Sequence, residues 1–307
     1  MAHEIETMFY VKQKPWHGLG IELQDPPTSE DAIIQAGLDW EVKLNPISVN
    51  GVTYKDFIGI TRSTDNKLYG VVREKYTPLQ NKDAFKFFDP FITEKLAQYE
   101  TAGSLKEGAR VWILAKINDE NLEITKGDEI QKYLLLSNGH DGKHGIRVQF
   151  TPIRVVCNNT LTMAEKSNAI AMRLAHLPKV VSSLEELHKT INLANRSFNS
   201  TLEDYKKMLD TPMKDIEQYV QKVFYPKNTD DQAKNRVIGK VINLFKDDPT
   251  NNIANISGSV WSAYNAVTQF IDHDRGSDQS SRLYQAWFGY GNHLKNKAHH
   301  EAILLAA

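Results

Sequence analysis

The chain has 307 residues, of which 24% are charged and 41% hydrophobic, and its formal net charge is −1. This is the composition of an ordinary globular protein with one or two domains, and it excludes a strongly basic chain, so any surface for nucleic acid must be a local patch. No apolar run reaches the roughly 18 residues of a membrane span, and the N-terminus lacks the apolar core of a secretory signal. The sequence therefore predicts a cytoplasmic protein with no membrane partner.

The first half of the chain has the alternation that is typical of an antiparallel sheet. Residues 39–72 alternate apolar and polar positions around Asn50-Gly51, a strong hairpin signal. Residues 109–117 are apolar on both faces, as in a central strand. A helix is predicted over residues 82–99, where large apolar residues recur near helical spacing, with a kink or break at Pro90.

Two other stretches of this half, residues 1–20 and 118–128, show neither period and are predicted to be irregular. After residue 165 the apolar residues recur at helical spacing almost to the end. The predicted fold class is therefore α+β: a domain over 1–165 built on an antiparallel sheet with a few helices, and a mostly helical region over 166–307 that packs on it.

Polar and basic groups concentrate around one loop between two predicted strands. The loop reads His140-Asp141-Gly142-Lys143-His144-Gly145 and is called the histidine loop below. A second turn follows at Thr151-Pro152, and the next apolar stretch carries Arg154. Asn158-Asn159-Thr160 is predicted to begin a helix, where free backbone N–H groups favour an anion.

Histidine and aspartate in and beyond this loop suggest a metal site as one hypothesis. Imidazole and carboxylate suit zinc, iron or manganese, and a site needs at least three converging ligands. The weak candidates are His140, Asp141, His144, Asp272 and His273. The chain has no HExxH or CxxC spacing, and a turn in which Asp141 bonds nearby amides is the favoured alternative. The sequence predicts no cofactor.

Catalytic motifs give no assignment, and the catalytic residues, if any, are unknown. The single cysteine, Cys157, excludes an intramolecular disulfide. It could be a nucleophile at a helix start, but a small buried residue is the favoured interpretation. GxSxG, GxxxxGK[ST] and GxGxxG are all absent, so hydrolase, nucleotide-triphosphatase and dinucleotide-binding functions have no support.

A local basic and aromatic surface is the leading candidate site. Single-stranded nucleic acid is commonly held by cations that follow the phosphates and by aromatic rings that stack on bases. The candidate contact residues are Lys75, Tyr76, Arg110, Trp112, Lys143, Arg147, Arg154, Asn158 and Asn159. The alternative is that the arginines form internal ion pairs or lie at solvated edges, since 38 acids match 37 bases.

Several sequence blocks, in order, resemble one family. They are WHGLG (Trp16–Gly20), AGLDWEV (Ala36–Val42), GVVREKYTPLQN (Gly70–Asn81), TAGSLKEGARVW (Thr101–Trp112), NGHDGKHG, TPIRVVCNNTL (Thr151–Leu161) and NAVTQFIDH (Asn265–His273). The blocks resemble the phage- and plasmid-like proteins grouped under a domain of unknown function. The resemblance implies a mobile-element protein of a bacterial host cell, a companion of replication, recombination and anti-restriction genes.

A distant similarity to single-strand annealing proteins, with no shared motif, implies an antiparallel sheet with helices that holds one DNA strand. The leading hypothesis is a mobile-element DNA-metabolism protein that binds or anneals single-stranded DNA without a covalent step, and by analogy forms homo-oligomers. The alternatives are a metal- or small-ligand-dependent enzyme that uses the histidine loop, and a phage host-interaction or anti-defence protein.

Overall fold

A computed structural model describes residues 5–12, 20–154, 159–160, 172–174, 184–225, 232–276, 282, 285–287 and 289–307. The chain divides into two compact units, and the chain passes between them more than once. The first unit comprises 1–119, 133–150 and 169–192, and the second comprises 120–132, 151–168 and 193–307. The strands and helices of the described residues confirm the predicted α+β class. The predicted domain boundary at residue 165 lies outside the described residues.

The strands in the described part of the chain fall into two sheets. They are β1 (Ile5–Val11), β2 (Ile21–Leu23), β3 (Val42–Val49), β4 (Val52–Arg62), β5 (Leu68–Arg73), β6 (Ala97–Leu105), β7 (Arg110–Ile117), β8 (Leu122–Thr125), β9 (Asp128–Gly139), β10 (Ile146–Arg154), β11 (Asn159–Thr160) and β12 (Met172–Leu174).

The helices in the same part of the chain lie mainly in the second unit. They are α1 (Ser29–Gln35), α2 (Asn81–Lys86), α3 (Asp89–Thr93), α4 (Leu184–Asp210), α5 (Ile216–Phe224), α6 (Gln232–Asp247), α7 (Val260–Gln269), a π-helical turn (Phe270–Asp274) and α8 (Tyr290–Ala306). None of them combines the length and the hydrophobicity that a bilayer-spanning helix requires.

The main sheet of the first unit has the order β10-β9-β7-β6-β1-β2, with β12 paired to β10. β7 is central and almost wholly buried, as its two apolar faces predict. The prediction that residues 1–20 are irregular was wrong for β1. Its Phe9 is paired with Ala102 and fully buried, so pairing and burial make a strand of a segment with weak alternation.

A separate three-stranded sheet with the order β3-β4-β5 also belongs to the first unit. Its first hairpin closes at Asn50-Gly51, as the sequence predicts, with Val49 opposite Val52. Both turn residues have positive φ, 51° and 79°, which is the geometry of a type I′ turn. Residues 42–72 therefore form the predicted antiparallel meander.

The single helix predicted over residues 82–99 was wrong. Two short helices, α2 and α3, occupy its first part, and β6 already begins at Ala97. Pro90 lies in the first turn of α3, where its missing N–H costs no hydrogen bond, so it starts a new helix. Tyr99 is buried in β6, and its hydroxyl donates to the carbonyl of Phe85 at 3.1 Å.

The second unit contains two strand pairs and a helical core. β8 lies in the predicted connector 118–128, where Leu122 pairs with Ile130, so that prediction was wrong in part. β11 pairs with the end of β10, and Asn159-Thr160 is therefore a strand and not the predicted helix start. The core is built around α7, which is buried at nearly every position and carries Trp261 and Tyr264.

Candidate nucleic-acid interface

The histidine loop follows β9 and is held against two other parts of the first unit. The backbone N–H of His140 donates to the carbonyl of Ala109 at 2.9 Å. On the other side, Gly70 and Gly142 allow very close approach: a Cβ at Gly70 would overlap the backbone of Asp141, and one at Gly142 would overlap Val72. Gly142 also has a φ of 71°, which favours glycine. The loop is therefore fitted tightly onto β5.

His140 is fully buried and anchors the loop from inside. Its Nε2 lies 2.9 Å from Oδ1 of Asn81, whose amide N–H group donates to the carbonyls of Leu38 and Trp40. The imidazole also contacts the rings of Trp40 and Tyr69, with centroids 5.4 and 6.1 Å away. Burial lowers the pKa of His140 to about 4, so the ring is neutral at pH 7 and serves as a packing and hydrogen-bonding group.

Asp141, His144 and Arg110 form a polar cluster at the base of the loop. Asp141 Oδ1 accepts the backbone N–H groups of Lys143 at 2.9 Å and His144 at 3.2 Å. Its Oδ2 lies 3.2 Å from His144 Nδ1 and 3.6 Å from Arg110 Nη2. Arg110 Nη2 in turn lies 2.5 Å from Nδ1 and 2.6 Å from Nε2 of His144. A neutral His144 has one ring nitrogen that can accept the Arg110 N–H, whereas a protonated ring would face the guanidinium with no acceptor.

The electrostatics of this cluster agree with that protonation state. Burial and the neighbouring Arg110 charge lower the pKa of His144, although Asp141 opposes the shift. Burial raises the pKa of Asp141, but the Lys143 amide, His144 and Arg110 outweigh it, and the pKa is lowered overall. The cluster is therefore a neutral histidine between a carboxylate and a guanidinium, and it braces the loop. Asp141 accepts the nearby backbone amides, as the sequence predicts for a turn centred on this aspartate.

Three predicted cationic contact residues of the first unit are exposed: Lys75, Lys143 and Arg147. In the part of the chain that the structure describes, none of the three forms an ion pair. Arg147 is close enough to His144 to lower the pKa of its imidazole. Tyr76 is half-buried, and burial together with the Asp141 charge raises its pKa. Lys143 lies in the histidine loop, Arg147 follows it, and Tyr76 lies within electrostatic range of Asp141. These three residues and Lys75, the chain neighbour of Tyr76, are called the loop patch below.

Arg110 and Trp112 do not belong to the exposed surface. Both lie on the central strand β7 and are buried, with 7% and 1% of their surface exposed. The indole of Trp112 packs against Gly103 of the neighbouring strand, where a Cβ would overlap the ring. The prediction that these two residues contact phosphate or base is therefore corrected: Arg110 braces the loop and Trp112 is a core residue.

Arg154 was also predicted to contact phosphate, and its burial contradicts this. The side chain is fully buried in the second unit, as is Asp128. Its Nε lies 2.6 Å from Asp128 Oδ1 and its Nη2 lies 3.1 Å from Oδ2, a bidentate ion pair. Trp261 Nε1 donates to Asp128 at 2.7 Å, and Asn251 Oδ1 accepts from Arg154 at 3.2 Å. This set, called the buried arginine network below, ties the two strand pairs to α7.

The remaining candidates fall in the second unit or outside the described residues. Asn158 and Cys157 lie outside them, and Asn159 lies in β11, so the predicted helix start does not supply an anion site. Asp272 is buried and forms an ion pair with Lys295 at 2.8 Å. His273 lies next to it in the π-helical turn. Among the residues that the structure describes, no three histidine, cysteine, aspartate or glutamate side chains are grouped to hold a metal ion.

Two contributors to the site were missed by sequence reasoning. Asn81 is the first residue of α2, and its side-chain amide joins the loop to residues 38–40. Tyr69 stacks on His140, and its role depends on the loop folding back onto β5. Both contacts join segments about 60 to 70 residues apart, and local spacing carries no signal for them.

Comparison with known proteins identifies the family. A model described as a domain of unknown function, DUF932, matches residues 68–288, more than two-thirds of the chain. The chain therefore belongs to the family that this domain defines. The matched region begins at β5 and includes the histidine loop and the buried arginine network. Comparison with curated proteins and with solved structures gave no match.

Proposed function

We propose that this protein binds single-stranded DNA without a covalent step, through the loop patch of Lys75, Tyr76, Lys143 and Arg147. The observation that carries the proposal is the exposure of Lys143 in the braced loop, of Arg147 just after it and of Lys75 next to Tyr76, with none of the three in an ion pair among the described residues. On a chain with a net charge of −1, such a grouping is a local feature that global composition does not produce.

The side chains of the loop patch are of the types that bind the phosphates and bases of single-stranded DNA. Lysine and arginine side chains on flexible stems can follow phosphates, and each neutralised phosphate releases counterions. Tyr76 is half-buried next to Lys75 in the chain, and stacking of a base on an aromatic ring contributes about 1–3 kcal/mol. Neutral His144 adds no charge, so the loop patch depends on the three cations.

The biological setting of this proposal is mobile-element DNA metabolism. It is supported by the resemblance of the sequence blocks to phage- and plasmid-like proteins and by the distant similarity to single-strand annealing proteins. A protein that holds one strand by its phosphates leaves the base edges open for pairing, so annealing of complementary strands is the expected activity. Faster annealing in the presence of the protein would support this form of the proposal.

The proposal is tested by fluorescence anisotropy with a labelled oligothymidine over a salt series. The wild type is expected to bind at low salt and to weaken as salt rises, with a logarithmic slope of about 0.7 for each phosphate contact. The double variant Lys143→Ala, Arg147→Ala should bind more weakly and lose about 1.4 of that slope.

The matched control is Lys126→Ala, Arg236→Ala, which removes an exposed lysine and an exposed arginine from the second unit. It should bind as the wild type does. No binding by the wild type at low salt would refute the proposal, and so would equal losses in the two double variants.

The hydrogen-bonded pair of Asp141 and His144 is the observation that favours an alternative, a metal- or small-ligand-dependent enzyme that uses the histidine loop. A partly exposed imidazole held by a carboxylate is a usual arrangement for a metal ligand or a general base. Elemental analysis of the purified protein separates the two proposals. Stoichiometric metal that is lost in His144→Ala would favour the enzyme, and absence of metal would remove its metal-dependent form.

A further inference from the structure

One face of the three-stranded sheet carries large apolar side chains that are open to solvent. Six of them are more than a third exposed: Val49, Val52, Tyr54, Phe57, Leu68 and Val71. They are called the apolar sheet face below. Their exposed fractions run from 39% for Phe57 to 59% for Val52, so these are not side chains with only an edge in water.

The register of the strands places these residues together. Val49 lies opposite Val52, and Ile47 lies opposite Tyr54. The side chains of Ile47 and Leu68 both reach the open position above Gly59, which pairs with Val71. Directly opposite residues share a face, and so do residues two apart on a strand, which groups Phe57 with Gly59 and Val71. The register shifts between Pro46 and Ile47, and the Ile47 side chain connects this group with Tyr54, Val52 and Val49 at the hairpin turn.

The opposite face of the same sheet is already used inside the first unit. Gly70 lies against Asp141, and Val72 and Ile60 lie against Gly142 of the histidine loop. Ile60 is fully buried there. An antiparallel sheet commonly has one covered apolar face and one polar solvated face. Here the second face carries an apolar stripe, bordered by Arg73 over the Phe57 ring and by the hydrogen-bonded Asn45 and Thr61. An exposed apolar stripe of this size indicates a surface that is covered in the working state of the protein.

The size of the apolar sheet face fits a second copy of the chain. At their exposed fractions the six side chains leave on the order of 500 Å² of apolar area open. One side of a standard interface buries roughly 800 Å², of which about 65% is apolar in homodimers, so the face supplies about the apolar area that one partner needs.

The side chains of the apolar sheet face favour a second copy of the chain over nucleic-acid bases or an added strand. Four of the six side chains are aliphatic, whereas a platform for bases requires aromatic rings. Strand addition along β3 is also disfavoured, because Pro46 lacks an N–H and the register shifts between Pro46 and Ile47. Packing of one apolar face on an identical one needs neither an edge nor a complementary charge.

We infer that two copies of this chain associate by packing their apolar sheet faces together. The inference does not depend on DNA binding, because the loop patch and the apolar sheet face share no residue. It is tested by sedimentation velocity without nucleic acid, over a wide range of micromolar concentrations. The wild type is expected to reach a mass of at least twice the 34.9 kDa of the chain.

Leu68→Lys places a charge at the β5 side of the face, next to Gly59, and should weaken self-association by at least about tenfold. Leu304→Lys is the matched control, since Leu304 in α8 of the second unit is 59% exposed, against 55% for Leu68. It should self-associate as the wild type does. Because both leucines are exposed, both variants are expected to melt at the wild-type temperature.

A wild type that stays at the mass of one chain overturns the inference, and so does a Leu68→Lys variant whose mass is unchanged. If the wild type is monomeric and Leu68→Lys changes oligonucleotide affinity, the apolar sheet face contacts DNA and not a second copy, and the inference is wrong. If the expected masses are found while no DNA binds, the inference stands and only the proposed function fails.

Discussion

Two arginine–aspartate pairs, one in each unit, show how similar residues come to do different work. In the second unit, Arg154 and Asp128 are fully buried and bidentate, and Trp261 completes the set. In the first unit, the contact between Arg110 and Asp141 is longer, 3.6 Å, and it includes His144, which is partly exposed. The Arg154–Asp128 pair is an internal structural element, whereas the Arg110–Asp141 pair braces the loop that carries the solvent-exposed Lys143.

Burial decides the role of each arginine. Arg147 and Arg154 lie on the same strand, β10, yet one is exposed and the other has no exposed surface. Spacing along the sequence groups them together, but only the exposed one is available to a phosphate. A buried ion pair is costly to break, because the remaining charge is left without its partner in a region of low dielectric.

The largest expected effect is that of Arg154→Ala. The substitution leaves Asp128 buried with one indole donor, and we expect it to lower the free energy of unfolding by about 3–5 kcal/mol. Urea denaturation followed by circular dichroism measures this loss. Arg147→Ala is the matched control, since an exposed arginine without an ion pair among the described residues should cost less than about 0.5 kcal/mol. Equal losses of unfolding free energy in Arg154→Ala and Arg147→Ala would contradict the distinction between a buried, paired arginine and an exposed one.

A second prediction concerns acid stability, because each unit buries a neutral histidine. Burial lowers the pKa of His299, between the rings of Tyr205 and Tyr264, to about 4. The unfolded state takes up the proton near pH 6.5, so this histidine lowers the free energy of unfolding progressively from about pH 6.5 down to about pH 4, by up to about 3 kcal/mol. His299→Phe should abolish that contribution.

The measurement is the difference in free energy of unfolding between wild type and His299→Phe at each pH. The difference is needed because burial raises the pKa of Glu100 to about 7, and this group stabilises the fold as the pH falls. His140, with a pKa of about 4, contributes equally to both proteins. His293→Phe, at an exposed position of α8, is the control. A difference that does not change between pH 7 and pH 4.5 would contradict the prediction.

A smaller effect is expected from Gly70→Ala, which tests how the histidine loop is fitted onto β5. The new Cβ would overlap the backbone of Asp141, so the loop must shift, at a cost of about 1–3 kcal/mol. Oligonucleotide affinity should fall as well, because Lys143 moves with the loop. Gly145→Ala is the matched control from the same loop, since nothing lies within 4 Å of its Cβ position. If Gly70→Ala and Gly145→Ala have the same free energy of unfolding and the same oligonucleotide affinity, the close approach of Gly70 to Asp141 has no role in the site.

The sequence predicted those parts of the fold that depend on local pattern. The Asn50-Gly51 hairpin, the central strand β7 and the helical second half follow from turn chemistry and from periodicity. β1 was missed because its strand character comes from pairing with β6, a segment about 90 residues away. Of the site, the exposed cations and the turn at Asp141 were predicted.

The parts of the site that the sequence could not give are those set by long-range contact. The Asn81–His140 hydrogen bond and the Arg154–Asp128 ion pair join residues 59 and 26 positions apart. Alternation along β10 and β7 gives the direction of a side chain but not what covers that face. Arg154 and Trp112 were therefore assigned to a surface that they do not reach.

The central claim is that DNA is held at the loop patch, and lysine acetylation with and without an oligothymidine tests it most directly. Mass spectrometry reports the acetylated fraction of each lysine, and Lys126 and Lys222, exposed in the second unit, are internal controls. The account predicts that DNA protects Lys75 and Lys143 and leaves the two controls unchanged. Unchanged acetylation of Lys75 and Lys143 at a saturating oligonucleotide concentration would contradict it.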